Sequence, residues 1–195
     1  YQRYLWDGAV SARLINPYAH SPEAALRDGD NTALGRLAGE AGLVVLRLNH
    51  RDLRTIYPPV TQAAFALAHV IKPWSLAAWR VVLLAFDAAT LLLLLALLKE
   101  ADRSPLWSAL YWWHPVLLKE IYNSAHMEVV LLPFVLLALL LTLKRRPVLA
   151  AASLAFAVGA KVWPALLLPL ILRPIAGNWR ALVAALAVFG GLCLL

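Results

Sequence analysis

The run Ser75–Leu98 limits this chain most: about 24 residues in which Arg80 and Asp87 are the only charges. A helix rises about 1.5 Å per residue and a bilayer core needs about 20 residues. A segment this long and apolar therefore reads as a membrane-crossing helix, because lipid accepts only backbone whose polar groups are satisfied within the segment. Its neighbours have the same character. With 62% hydrophobic and 15% charged residues, the 195 residues read as an all-α polytopic membrane protein rather than as soluble domains.

The net charge of +7 raises the question of nucleic acid, and its distribution answers it. Residues 1–59 carry seven Lys/Arg against six Asp/Glu, whereas residues 60–195 carry eleven against five. The surplus sits largely in short clusters between apolar runs: Lys99-Glu100-Ala101-Asp102-Arg103, Lys144-Arg145-Arg146, and Arg173 with Arg180. That is the pattern of cytoplasmic loops under the positive-inside rule, not of a phosphate-backbone patch, so no nucleic-acid partner is expected. The single cysteine, Cys193, lies in an apolar run and supports neither a disulfide nor a cysteine metal site. A start at Tyr1 and a stop within an apolar stretch read as a fragment cut at both ends.

Residues 1–59 form the long polar segment, expected as an extracytoplasmic loop of short amphipathic helices. Leu5, Ala9, Val10 and Leu14 suit one helix that Asn16-Pro17 ends. Ser21-Pro22-Glu23 starts another, with Ser as cap and Pro in the first turn, and a third is expected from Thr32 to Ala38. The transmembrane region, 60–195, is expected to hold helices near 60–71 (juxtamembrane or re-entrant), 75–98, 105–118, 129–143, 148–160, 163–172 and 181–195. The stretch 147–172 fits one tilted span or two short helices meeting at Lys161-Val162-Trp163-Pro164. Keeping Arg173 and Arg180 inside favours two, with Lys161 near the outer end.

Several polar residues interrupt this pattern. Lys161 breaks an apolar run, where an unpaired ammonium is costly, and suits a phosphate site at a helix junction. His50 and Arg51 stand just before the chain returns to the membrane, where Arg can grip a lipid phosphate through two hydrogen bonds, although a solvated loop Arg reads equally well. His126 and Glu128 are two residues apart on the outer side and suit a divalent cation bridging a phosphate, or simply the polar end of a span. Glu120 and Asn123 lie in the same outer turn. Arg80 and Asp87, two helical turns apart, are too distant to pair directly and are expected to face protein or an interface. His69 and His114 read as buried histidines.

The succession Arg3-Tyr4-Leu5-Trp6-Asp7-Gly8, Asn16-Pro17-Tyr18, Thr55-Ile56-Tyr57-Pro58-Pro59, His126-Met127-Glu128, and Lys161 with Pro164 resembles the GT-C glycosyltransferases that use polyprenol-phosphate sugars. Among these it is most similar to glycosyltransferase family 87, a bacterial mannosyltransferase-like group. The resemblance implies a partial GT-C fold in the bacterial cytoplasmic membrane, with the first loop extracytoplasmic. It implies transfer of a hexose, mannose-like, from a polyprenyl phosphate to a glycan, lipid or protein acceptor.

Such a transfer needs a base for the acceptor hydroxyl and positive charge for the departing phosphate. Asp7 is the candidate base, with a helix cap or turn residue as its plain alternative. Lys161, Arg51 and His50 are the candidate phosphate ligands. Arg3, Tyr4, Trp6, Asn16, Tyr18, Tyr57, Glu120 and Asn123 are the candidate substrate contacts, and His126 with Glu128 the candidate metal pair. Similar proteins carry an acidic pair ahead of the motif tyrosines, whereas this chain begins Tyr1-Gln2, so the principal acid is expected upstream of Tyr1. A non-enzymatic lipid or solute carrier is the alternative, motivated by the broken helices and by the charges of Arg80, Asp87 and Lys161.

Overall fold

The structure, a computed structural model, describes residues 1–194; these are all-helical, with no strand among them. The chain divides into two compact units, Tyr1–Val82 and a second that begins at Leu83.

In the first unit, α1 (Gln2–Ala12) packs along α5 (Pro59–Ile71). Gly8 makes this approach possible: a Cβ there would lie 2.4 Å from the carbonyl oxygen of Phe65. The opposite side of α1 contributes Trp6, Ala9 and Val10 to a core completed by α2 (Pro22–Asp28), α3 (Ala33–Ala41) and α4 (Leu43–Leu46), through Ala25, Leu34, Leu37, Ala38 and Val45. Caps set the helix starts. Ser21 Oγ accepts from the Ala24 N–H at 3.3 Å, with Pro22 in the first turn, and Thr32 Oγ1 accepts from the Gly35 N–H at 2.9 Å. Helix α3 runs through Gly39, past the expected end at Ala38, and stops at Gly42, whose φ of +50° suits glycine.

Helix α6 (Leu76–Glu100) begins in the first unit and continues into the second. Its most apolar 18-residue stretch has a mean hydropathy of 2.7 yet is only 22% buried, the reverse of what a soluble core helix shows. Among the described residues it is the one unbroken helix long and apolar enough to cross a membrane.

Where the sequence suggests one helix over 105–118, the second unit has short pieces. A 3-10 turn (Pro105–Ser108) leads to α7 (Ala109–Trp112), then to α8 (Pro115–Leu117) and a π-helical turn (Leu118–Asn123). Pro115 is the cause: it has no N–H to donate and drives His114 into extended backbone at φ −70°, ψ 120°. A 3-10 turn (Met127–Leu131) then feeds α9 (Leu132–Leu143), and the segments Pro115–Asn123 and Met127–Leu143 meet at a bend of 104°.

Helix α10 (Pro147–Ala160) packs against α9 and α12 (Trp179–Cys193) through buried Ala150, Ala151, Leu154, Ala155 and Ala157. These small side chains let the backbones approach, and the Ser153 hydroxyl donates to the Phe134 carbonyl at 2.8 Å. The chain breaks at Lys161 (φ −158°, ψ 140°) and resumes as a 3-10 turn (Trp163–Leu167) and α11 (Leu168–Leu172). The stretch 147–172 is thus two short helical segments.

Candidate active site

In the first unit the polar residues of the opening motif converge on Asp7, which is 2% exposed. Arg3, one turn earlier on α1, donates through Nε to both carboxylate oxygens at 2.9 and 3.1 Å, and through Nη1 to the Leu53 carbonyl at 3.1 Å. The Thr55 hydroxyl donates to Asp7 Oδ2 at 2.7 Å. Gln62 of α5 in turn donates to Thr55 Oγ1 at 2.8 Å and accepts from the Ser11 hydroxyl at 3.1 Å. The carboxylate therefore pins the strip 53–57 against α1 and α5. Burial pushes its pKa above the ordinary aspartate value, while the Arg3 charge and the hydrogen bonds of Thr55, Arg3 and Gln62 oppose the rise without cancelling it.

The other opening-motif residues occupy varied surroundings. Trp6 is 3% exposed and belongs to the apolar core. Tyr4 is buried in an aromatic group, stacked on Phe65 at 4.8 Å and edge-on to Tyr57 at 5.4 Å, with Trp79 at 5.7 Å. Asn16 closes a local turn by accepting from the Tyr18 N–H at 2.9 Å, and the exposed Tyr18 hydroxyl donates to the Tyr57 carbonyl at 2.8 Å. The last contact ties the Asn-Pro-Tyr and Tyr-Pro-Pro words together. His50 and Arg51 share an open cleft of about 710 Å³ with Glu23, Leu48, Asn49 and Asp52, closed at one side by the Glu23 N–H donating to the Arg51 carbonyl at 2.9 Å.

In the second unit the 104° bend gathers charge. Glu120, on the π-helical turn, accepts from Lys119 Nζ at 2.8 Å, and its other oxygen lies 3.4 Å from His126 Nε2. Two residues on, Glu128 meets Lys161 Nζ at 2.8 Å across 33 positions of sequence. Lys161 sits where α10 ends, and the backbone break swings it toward the bend. Asn123 is exposed at the end of the same π-helical turn.

The model of glycosyltransferase family 87 matches residues 55–195, well over half the chain. The chain belongs to glycosyltransferase family 87. No curated protein and no solved structure matches it.

As a member of family 87 the protein is a glycosyltransferase, with a sugar donor and an acceptor as substrates, which sets the carrier alternative aside. The matched stretch takes in Thr55, Gln62, the bend and Lys161, and leaves Arg3 and Asp7 outside it. The residues at the bend do not fit a divalent cation. Glu128 is engaged by the Lys161 ammonium, which would repel one, His126 faces Glu120, and no three His, Cys, Asp or Glu residues among those described come together as a ligand set.

Sequence reasoning missed three participants. Gln62 is the amide in the apolar run of α5, and its polarity was a usable signal: such a residue buried on an apolar helix must find partners. Tyr111 and Tyr122 fall in the expected helix 105–118 and in the turn that follows it, where nothing in the sequence singles them out. Both hydroxyls donate to Asp87 of α6, Tyr111 at 2.7 Å to Oδ1 and Tyr122 to Oδ2, and Asp87 is 2% exposed.

Proposed function

We propose that this family 87 enzyme is a polytopic membrane protein that transfers a mannose-like hexose from a polyprenyl-phosphate donor to an extracytoplasmic glycan, lipid or protein. In this reading residues 1–59 form an extracytoplasmic loop and residues 60–195 the transmembrane region. The observation that carries it is the Lys161–Glu128 pair at a break between short apolar helices. Broken helices at membrane depth are tolerated where they line a cavity, and a lysine placed there is a functional group by default. A departing lipid phosphate offers oxygens to the Lys161 ammonium, while Glu128 holds that ammonium aimed between turnovers. Glu120, His126 and Asn123 supply hydrogen-bonding groups for sugar hydroxyls around the same bend.

The first unit carries candidate groups of its own. Arg51 and His50 line a cleft that suits a phosphate or the acceptor. Asp7 is the carboxylate of the first loop: burial makes it more basic than an ordinary aspartate, which suits a general base, and rotation of the Thr55 hydroxyl off Oδ2 opens it to an acceptor hydroxyl.

The test uses full-length protein and polyprenyl-phosphate-[14C]mannose. Loss of one charge-assisted contact weakens donor use by roughly tenfold or more. Lys161→Met is therefore expected to raise the donor KM by at least that factor at normal expression, and Arg51→Gln to raise it less. Unchanged donor affinity and turnover in both variants would sink the assignment.

A further inference from the structure

The hydrogen-bonded group Asp87–Tyr111–Tyr122 has no part in binding sugar or phosphate, yet its carboxylate is among the most enclosed polar groups of the second unit. Asp87 lies on the long apolar helix α6 and is 2% exposed. Its two oxygens are taken by different segments: Tyr111 of α7 by Oδ1, and Tyr122 of the π-helical turn by Oδ2. A carboxylate on an apolar helix is costly unless its lone pairs are met, so the fold must bring both phenols to it.

Both phenols belong to the part of the chain that Pro105 and Pro115 prevent from being a continuous helix. The turn that carries Tyr122 also carries Lys119 and Glu120. It is a π-helical turn, a geometry with poor intrinsic stability that is retained at functional sites by outside contacts. In it Tyr122 follows Glu120 by two residues, so fixing the Tyr122 hydroxyl fixes the rotation of the turn and with it the direction of the Glu120 carboxylate toward His126.

We propose that Asp87 is a positioning residue for sugar transfer: through Tyr122 it locks the π-helical turn Leu118–Asn123 in the rotation that presents Glu120 to the donor. The inference rests on the reading of the bend as the donor site. Tyr111 gives the internal control, because its hydroxyl bonds the same carboxylate while its segment, Ala109–Trp112, carries none of the charged residues of the bend.

The experiment measures equilibrium binding of polyprenyl-phosphate-[14C]mannose to purified full-length protein, with thermal midpoints recorded alongside. Tyr122→Phe and Tyr111→Phe each remove one hydroxyl from Asp87, so a merely structural role moves both alike. The expected result is a donor Kd about tenfold weaker for Tyr122→Phe and a change within about twofold for Tyr111→Phe. In a Glu120→Gln background, itself weakened, Tyr122→Phe is expected to add nothing, because both changes remove the same contribution. Equal effects of the two phenylalanine variants, additive effects with Glu120→Gln, or a Glu120→Gln variant that binds normally would each overturn the proposal. Lys161→Met run in parallel keeps the two readings apart. If it alone weakens binding, the tether falls and the donor site stands; if it has no effect while the Tyr122 pattern appears, Lys161 leaves the donor site and the tether stands.

Discussion

Two aspartates, Asp7 in the first unit and Asp87 in the second, are each 2% exposed and each hold irregular backbone in place, but by different chemistry. Asp7 is met by a cation on its own helix, with Thr55 added from the strip it pins. Asp87 is met by two neutral phenols reaching in from other segments. The difference follows from surroundings. An amphipathic helix can spare one position in four for an arginine whose stem lies along the surface and whose head reaches inward. On a helix as apolar as α6, neutral donors satisfy a carboxylate without bringing in a second charge that needs desolvation.

Removing Asp7 therefore strands a largely buried cation, whereas neutralising Asp87 strands none. Asp7→Ala is expected to lower the local stability of the 53–57 strip by about 3 kcal/mol, read from hydrogen exchange at the Thr55 and Tyr57 amides. Asp87→Asn retains an acceptor oxygen for one phenol and is expected to cost about 1 kcal/mol, read at the amides of 118–123. If the two costs came out equal or reversed, the contrast between charged and neutral pairing would fail.

The smallest effect sharpens it. The folded pKa of Asp7 lies above the ordinary value of 3.8, so the native state binds its proton more readily than the unfolded chain does. The associated stability is complete below that value and is lost as pH rises through the folded pKa. Opening free energies near Thr55 should thus decline as pH rises from about 4 through that range. Subtracting the profile of Asp7→Asn should isolate the decline; a difference that rises with pH would mean that Arg3 outweighs burial.

Much of this was legible in the sequence where local chemistry decides. Ser21-Pro22 announces a helix start because capping needs only neighbours, and keeping Arg173 and Arg180 on the basic side calls for a break near Lys161, an ammonium in an apolar run that needs a partner. The partner, Glu128, lies 33 positions away, and no periodicity specifies such a meeting. The segment 105–118 reads as one helix because its composition is evenly apolar, while Pro115 acts on geometry instead. The Asp-Gly word was read through its acid alone. Its glycine answers to the Phe65 carbonyl on another helix, a steric demand that leaves no trace in the surrounding residues. Trp6, singled out as a substrate contact, shows the same limit, since an aromatic in a motif looks alike whether its ring meets a sugar or a core.

The short helices around the bend have a consequence for depth. Helix α9 has 12 residues and α10 has 14, which at about 1.5 Å per residue gives lengths of about 18 and 21 Å. If the Lys144–Arg146 loop between them rests at one water surface, Lys161 stands about 10 Å short of the other side of a hydrocarbon layer about 30 Å thick. Under the proposed reading of Lys161 as a ligand of a lipid-phosphate donor, that phosphate would sink below its neighbours or the bilayer would pucker to meet it, and membrane thickness would become a term in the rate of sugar transfer.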